Sequence, residues 1–209
     1  MRHNFSRNSD YHTQRNNVHV PFAACNRTSM VMGFKQAGYP FPKSVGDRQE
    51  EDAAYEDVFD TDDARAYQAK VAAWSVGAYP PDQVHAVLEW GFNNWLAAGE
   101  PADTFRTNVR ADEMVSTLLA GGGVVLSGNF PLPSGSIGHI VSLAGYVGYD
   151  GEKDQVIRWI VDDPYGNWHT DYKDHHGNDV DFSTGEFTDI FDRKRNQQYW
   201  AHLIKKYEA

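Results

Sequence analysis

A chain of 209 residues that is 41% hydrophobic and 13% aromatic can bury one sizeable core but is short for two full domains, so we expect a single domain spanning residues 1–209. Its 19 basic and 29 acidic side chains give a formal charge of −10, which argues against electrostatic binding to nucleic acid or to an anionic membrane surface. The single cysteine excludes an intramolecular disulfide.

The first 20 residues are polar and predict an extended segment lying over the surface. They contain no apolar run of the length that a secretory signal requires, and no later run approaches the roughly 20 apolar residues of a membrane span. We therefore expect a soluble protein that is made in the cytoplasm and has no stable association with a membrane.

The first helix is predicted to begin near Cys25, the only cysteine. The polar residues 26–29 can supply oxygens to the first helical turn, apolar residues then recur with helical spacing, and Gly38 ends the helix. Cys25 is thereby expected at a helix N-terminus.

A helical insert is predicted between this first helix and the strands. It opens with an acidic linker and carries apolar residues at helical spacing beyond it. The insert covers about 43–122, with the linker at 43–63 and helices near 62–74, 84–96 and 112–120.

The second half of the chain changes to the two-residue period of β-strands. The second and third predicted strands are joined by a turn-rich segment and should form a hairpin. Helices first and a sheet second predict an α+β domain. The predicted strands are 124–130, 137–149, 155–163 and 199–204, with the hairpin turn at 150–154 and a helix near 186–194.

The expected position of Cys25 suits a nucleophile. The thiolate is the reactive form of cysteine, and a helix N-terminus can lower the thiol pKa from about 8.5 to roughly 3.5–7.5. A cysteine hydrolase also needs a base beside the sulfur and a group that orients the base. A lone cysteine is otherwise more often a small buried hydrophobe, so these partners decide the interpretation.

The predicted hairpin supplies both partners. If its turn is centred on Gly151, His139 stands directly opposite Asp163, and opposed residues of an antiparallel pair point to the same face. Asp163 could then accept a hydrogen bond from His139 while the other ring nitrogen faces Cys25. Asp162 points to the opposite face unless the register differs by one residue, and it stays the alternative.

A hydrolase of this kind also needs donors for the oxyanion that develops on the attacked carbonyl. The backbone N–H of Cys25 is one candidate. A side-chain amide from the segment before it, Gln14, Asn16 or Asn17, is the other.

These segments resemble the papain-like cysteine peptidases, and within them the branch related to bacteriocin-leader peptidases, which includes many phage and bacterial cell-wall lysins. The nucleophile segment of that branch is similar to QRNNVHVPFAACNRTSMVM at 14–32. Its histidine strand is similar to GHIVSLAGY at 138–146, and its Asp-Pro segment to VDDPYGNW at 161–168. The chain departs from the pattern at Asn16, where an aspartate is expected, and at Arg27, a bulky cation just past the nucleophile.

The resemblance implies a role for each matching residue. Cys25 corresponds to the nucleophile, His139 to the general base and acid, Asp163 to the orienting carboxylate and Gln14 to the oxyanion-hole donor. Two neighbours of these positions, Asn17 and Asn26, are expected to contact the substrate. No cofactor is required for amide hydrolysis through a thioester.

The functional hypothesis is a peptidoglycan-cleaving endolysin with a papain-like fold, in which N-terminal helices pack on a small antiparallel sheet that carries the histidine and the aspartate. Peptidoglycan peptide is then the substrate, and the enzyme acts at the cell wall after its release from the cytoplasm. The alternatives are a protein-directed cysteine peptidase, a toxin effector with the same triad, or an inactive peptide-binding module of the same fold.

Two polar stretches invite a metal interpretation. The loop at 169–181 is rich in Asp and His, but its spacing fits neither a calcium loop nor a zinc helix. The stretch at 50–63 is acidic. We expect both to be solvated surface without a metal, with calcium at the acidic stretch as the weaker alternative.

Overall fold

The computed structural model describes residues 1–74, 80–97, 100–148, 156–192 and 194–208, which build one antiparallel sheet with helices on both of its faces. The α+β class predicted from the sequence is confirmed. The strands are β1 (Arg2–Asn4), β2 (Asp103–Val109), β3 (Gly123–Leu132), β4 (Gly135–Gly148), β5 (Val156–Asp162), β6 (Val180–Ser183) and β7 (Tyr199–Ile204).

The sheet has the strand order β2-β7-β3-β4-β5-β6, with the long strand β4 near its centre. The N-terminal half of β4 pairs with β3, and its C-terminal half pairs with β1 on the same edge and with β5 on the other. His139 lies in the half of β4 that pairs with β3, where it stands opposite Gly128, and the pairing of β4 with β5 begins only at Ser142.

The helices fall into an N-terminal group and two single helices inserted among the later strands. They are α1 (Cys25–Gln36), α2 (Glu50–Ala54), α3 (Asp62–Trp74), α4 (Pro80–Leu96), α5 (Ala111–Leu119) and α6 (Thr184–Phe191). A π-helical turn at Tyr55–Phe59 continues α2 towards α3. Among the described helices, none combines the length and the apolar character that crossing a membrane requires.

Two hydrophobic clusters fill the two sides of the sheet. Neighbouring residues of β3 point in opposite directions, so Val125 packs with α1 and α4, whereas Val124 and Leu126 pack with α5 and α6. A run of apolar residues on one strand is typical of a strand that is buried on both faces. The N-terminal helices therefore share one face of the sheet, as predicted, and α5 and α6 cover the other.

Helix α1 lies unusually close to the sheet. A Cβ atom on Gly123 would stand 2.1 Å from the carbonyl oxygen of Gly33, and a Cβ on Gly33 would stand 2.7 Å from Val125. The helix is correspondingly buried from Thr28 to Phe34. The missing side chains at both glycines let α1 rest directly on the central strands.

The predicted helices and the strands of the central sheet are confirmed, with shifts at their ends. The predicted helix near 186–194 begins earlier, since Ser183 and Glu186 form a reciprocal capping box at its start. The predicted turn at 150–154 lies outside the described residues.

Four short elements have no counterpart among those predicted from the sequence: β1, β2, β6 and α2. Strand β1 has only three residues and lies in the segment expected to be an extended lead-in, while α2 lies in the segment expected to be a linker. Strand β2 lies inside the predicted helical insert and forms an edge of the sheet beside β7. Most of its side chains are polar, so β2 lacks the alternation of apolar and polar residues that predicts a strand.

The close contact between α1 and β3 predicts that Gly123→Ala destabilises the fold. The added methyl group collides with a backbone carbonyl that cannot rotate away, so the free energy of unfolding should fall by about 1–3 kcal/mol, as for other overpacked cores. Urea unfolding followed by circular dichroism measures the change. Gly185→Ala is the matched control, because its Cβ would meet only Ser183 Oγ at 4.0 Å; equal losses in the two variants would contradict the close contact.

Candidate active site

Cys25 is the first residue of α1 and is half-buried. Backbone N–H groups at the start of a helix have no acceptor within the helix. In α1 the N–H of Arg27 already bonds Asn26 Oδ1 at 2.7 Å, and the N–H of Cys25 itself is the candidate donor beside the sulfur. One turn further on, Ser29 Oγ donates to the carbonyl oxygen of Ile140 at 2.8 Å. This bond ties the helix to the residue that follows His139.

His139 and Asp163 form a buried pair at the centre of the site. His139 Nε2 lies 2.7 Å from Asp163 Oδ1, and the two residues are 4% and 0% exposed. Asp163 Oδ1 also accepts from the backbone N–H of Tyr165 at 2.8 Å, and Oδ2 accepts from the hydroxyl of Tyr172 at 3.3 Å. These donors hold the carboxylate in place and leave His139 Nδ1 for Cys25.

The register of the β4–β5 pair differs from the predicted one, in which His139 is opposite Asp163. Ser142 lies opposite Asp162, so the pairing is shifted by two residues, and a bulge follows at Leu143–Gly145. A shift of two preserves the face of each side chain between the bulge and the His139 end of β4, which explains why His139 and Asp163 still meet. Beyond the bulge, Gly145 lies opposite Ile160, which is a shift of three.

Asp162 points away from His139 and belongs to another network. Its carboxylate accepts from Ser6 Oγ at 2.7 Å and from the backbone N–H of Asp179 at 2.8 Å. Burial raises the pKa of Asp162 to about 6, against the hydrogen bonds that lower it. Of the two adjacent aspartates, Asp163 is the one that contacts the imidazole.

The electrostatics of the site favour an ion pair between Cys25 and His139. Burial raises the pKa of the Cys25 thiol, but the hydrogen bond with His139, its positive charge and the backbone N–H of Ile140 together leave that pKa lowered. Burial lowers the pKa of His139, but the Asp163 carboxylate and the bond to Cys25 raise it to about 10. Both shifts act in the direction of a thiolate–imidazolium pair.

Aromatic rings shield the imidazole from water. Phe130 meets His139 edge to face at a centroid distance of 5.1 Å, Tyr172 at 6.1 Å and Tyr165 at 6.4 Å. Tyr172 adopts a left-handed backbone conformation with φ of 59°, which is unusual for an aromatic residue. The strained turn places its hydroxyl on Asp163, and no motif in the sequence identified this residue.

Gln14 begins a 3-10 turn, Gln14–Asn16, in the segment that precedes Cys25. This segment is hydrogen-bonded to the residue after Asp163. The backbone N–H of Gln14 donates to the carbonyl oxygen of Pro164 at 2.9 Å, and its side chain is 2% exposed. Nε2 donates to the carbonyl oxygen of Pro21 at 2.8 Å, which uses one of its two hydrogens. These bonds thus link the residue after Asp163 to the segment that leads into the nucleophile.

The two asparagines expected to contact substrate have different surroundings. Asn17 is 4% exposed, and its Oδ1 accepts from the backbone N–H groups of His19 and Val20, so it shapes the loop before Cys25. Asn26 is half-buried and lines an open cleft of about 620 Å³ together with Arg27. A substrate role remains a prediction for both.

The cleft next to Cys25 is formed by the N-terminal end of α1 and the helical insert. A larger cavity of about 770 Å³ lies at the other end of α1, near Tyr39 and Tyr207, and none of the site residues above lines it. The smaller cleft is lined by Asn26 and Arg27, the two residues that follow Cys25. Its other lining residues are Tyr55, Phe59, Asp60, Arg65, Gln68, Gln83, Val84, Val87 and Leu88.

One group of side chains has the composition of a metal site. The ligand atoms of His12, Glu50 and Glu51 lie within 4.8 Å of one another. The ammonium group of Lys35 already lies 2.9 Å from both His12 Nε2 and Glu50 Oε1. Because the Lys35 ammonium group already contacts two of the three side chains, we interpret the group as an ion-pair network. It falls at the start of the acidic stretch, not in the Asp- and His-rich loop.

Comparison with known proteins gives a family match over most of the chain. The model of the Peptidase_C39 like family matches residues 7–199, a range that contains every candidate residue described above. No curated protein and no solved structure matches the chain.

The ion pair predicts how His139→Ala changes the reactivity of Cys25. Without the imidazole, burial dominates and raises the pKa of the thiol, so alkylation by iodoacetamide at pH 6 should slow by at least roughly tenfold. The measurement is the alkylation rate between pH 5 and 10, followed by intact mass. His169→Ala, which removes an imidazole that bonds Asp181 O instead, is the control; an unchanged rate at pH 6 in His139→Ala would show that the imidazole does not activate the thiol.

Proposed function

Because the chain belongs to the Peptidase_C39 like family, relatives of the papain-like cysteine peptidases, we propose that it hydrolyses amide bonds in peptidoglycan peptides as an endolysin, with Cys25 as the nucleophile. The α+β architecture is consistent with the papain-like fold predicted from the sequence. The observation that carries the proposal is the geometry of the site: Cys25 starts a helix, and His139 bonds both its thiol and Asp163.

The first step forms a thioester. The Cys25 thiolate attacks the carbonyl carbon of the scissile amide, and the developing charge moves to the carbonyl oxygen. The protonated His139 gives its proton to the amide nitrogen, the C–N bond breaks, and the amine leaves. The raised pKa of His139 supports this role, since it keeps the imidazole protonated at neutral pH until the leaving group needs the proton.

The oxyanion requires donors that are fixed before the reaction starts. The backbone N–H of Cys25 and the second N–H of Gln14 Nε2 are the proposed pair. The bonds from Gln14 to Pro21 and Pro164 support this assignment, because they restrict where its amide can point.

The second step regenerates the enzyme. After proton transfer to the amine, His139 is neutral and accepts a proton from water, which attacks the thioester carbonyl. The C–S bond breaks, the carboxylic acid product leaves, and the proton on His139 restores the ion pair with the thiolate. Asp163 keeps the imidazole in one orientation during both steps.

Peptidoglycan is proposed as the substrate on the resemblance to cell-wall lysins, and the enzyme would then act at the wall after release from the cytoplasm. The open cleft beside Cys25 suits an extended peptide. Asn26, which lines it, is the side chain expected to contact that peptide.

Cys25→Ser tests the proposal directly. The wild-type protein should reduce the turbidity of a peptidoglycan suspension and release new amino and carboxyl termini, whereas Cys25→Ser should release none above background, because a serine hydroxyl beside imidazolium is not ionised at neutral pH. Mass analysis of the released muropeptides identifies the bond that is cut. Circular dichroism confirms that both proteins are folded.

Two other outcomes would change the conclusion. If the wild type leaves peptidoglycan intact while Cys25 alkylates rapidly at pH 6, the thiol is activated for another substrate, and a protein-directed peptidase takes the place of the endolysin. If Cys25 is also inert to alkylation in the folded protein, the nucleophile assignment is wrong and the peptide-binding module remains.

The pH profile of hydrolysis should depend on Asp163 but not on Asp162. Asp163 raises the pKa of His139, so Asp163→Asn should lower that pKa and move the alkaline limb of kcat/KM down from about pH 10. Asp162→Asn is the control, since Asp162 bonds Ser6 and Asp179 and not the imidazole. An alkaline limb that moves equally in both variants would contradict the assignment of Asp163.

A further inference from the structure

Arg27 is a half-buried cation two residues after Cys25, in the first turn of α1. No carboxylate of the residues described lies within ion-pair distance of its guanidinium, and its Nε is buried with no hydrogen-bond partner among them. A buried donor without a partner is costly, and most such groups in proteins find one. The guanidinium therefore has unused capacity to bind an anion.

The rest of the cleft does not neutralise Arg27. Its other charged lining residues are Arg65 and Asp60, which bond each other at 2.9 Å, and Arg65 also bonds Asp62. Asp52 is the acidic group that acts on Arg27 from a distance, but its Oδ1 accepts from the backbone N–H of Val18. One positive charge on the wall of the cleft thus remains without a bonded counterion.

The insert fixes the direction of the guanidinium. Arg27 stands over the ring of Tyr55 at 5.0 Å from its centroid, and His19 stacks on Tyr55 at 4.6 Å. Tyr55 begins the π-helical turn, a feature that frequently occurs at functional sites. Burial lowers the pKa of Arg27, although Tyr55, Cys25 and Asp52 each act to raise it. Arginine nevertheless stays charged at any physiological pH.

We propose that Arg27 is a specificity-determining residue that binds a carboxylate of the substrate, so that the enzyme selects peptides with a free carboxylate next to the scissile amide. A guanidinium recognises a carboxylate through two parallel N–H bonds, and no carboxylate of the described residues occupies the donors of Arg27. This inference rests on the proposed function, since it takes Cys25 as the attacking group, and it adds the chemical class of the substrate.

Two alkylating reagents of nearly equal size test the inference without a known substrate. Iodoacetate carries a carboxylate and iodoacetamide carries a neutral amide in its place. In each case the Cys25 thiolate forms an S–C bond while the C–I bond breaks and iodide leaves. Both reagents react with the same thiolate, so the ratio of their rates cancels any change in the pKa of Cys25 and reports only the preference for the charged reagent.

The expected result is a drop in the iodoacetate-to-iodoacetamide rate ratio of roughly five- to tenfold in Arg27→Gln, because a nearby cation attracts the carboxylate in a partly desolvated cleft. Arg27→Lys, which keeps the charge, should retain most of the ratio. Arg110→Gln is the matched control: it removes the same charge from an exposed site just before α5, where Arg110 pairs with Asp112. The charge of His139 also favours iodoacetate over iodoacetamide. This contribution is the same in the wild type and in the three variants, so it does not affect the comparison.

A ratio in Arg27→Gln equal to that of the wild type and of Arg110→Gln overturns the inference while leaving Cys25 as an active nucleophile. If Arg27→Gln does not fold by circular dichroism, Arg27→Met, which keeps the length of the side chain over Tyr55, is measured instead and judged by the same ratio. If wild-type Cys25 reacts with neither reagent, the proposed function fails, and the inference fails with it.

Discussion

The direct contact between α1 and the central strands is the constraint on which the site depends. Gly33 and Gly123 bring the helix against β3 with no side chain between them, and Ser29 bonds the carbonyl of Ile140 on β4. Cys25 lies one turn before Ser29 and His139 is the neighbour of Ile140, so one interface sets the position of both. The proposed nucleophile lies on the helix and the proposed base on the strand, so the proposed reaction depends on the spacing of these two elements.

Burial opposes the ionisation of both Cys25 and His139. Burial disfavours both the thiolate and the imidazolium, whereas each of these charges favours the other and Asp163 favours the imidazolium. Asp163 is itself fixed by a backbone N–H and by Tyr172. The stability of the ion pair therefore depends on a chain of hydrogen bonds that reaches from α1 through β4 to the loop after β5.

The predicted helical insert lines the cleft beside the first turn of α1. Gly91 of α4 lets the π-helical turn approach, since a Cβ there would stand 2.8 Å from Phe59. That turn presents Tyr55 to Arg27 and so shapes one wall of the cleft. The insert thus fixes the position of Arg27, one of the residues at which the chain departs from the sequence pattern that it otherwise resembles.

The sequence by itself determined the class of the fold, the helix that starts at Cys25, the central strands and the identity of the Cys25, His139 and Asp163 segments, because helical spacing, strand alternation and capping are local properties of the chain. It favoured Asp163 and kept Asp162 as the alternative, and the contact of Asp163 with the imidazole comes from the tertiary structure. Only the tertiary structure decided the true β4–β5 register, the short strands at the sheet edges, the Tyr172 bond and the unpaired state of Arg27. These features depend on residues far apart in sequence, whose contacts are set by packing and by the geometry of a bulge and a strained turn, neither of which leaves a periodic signal.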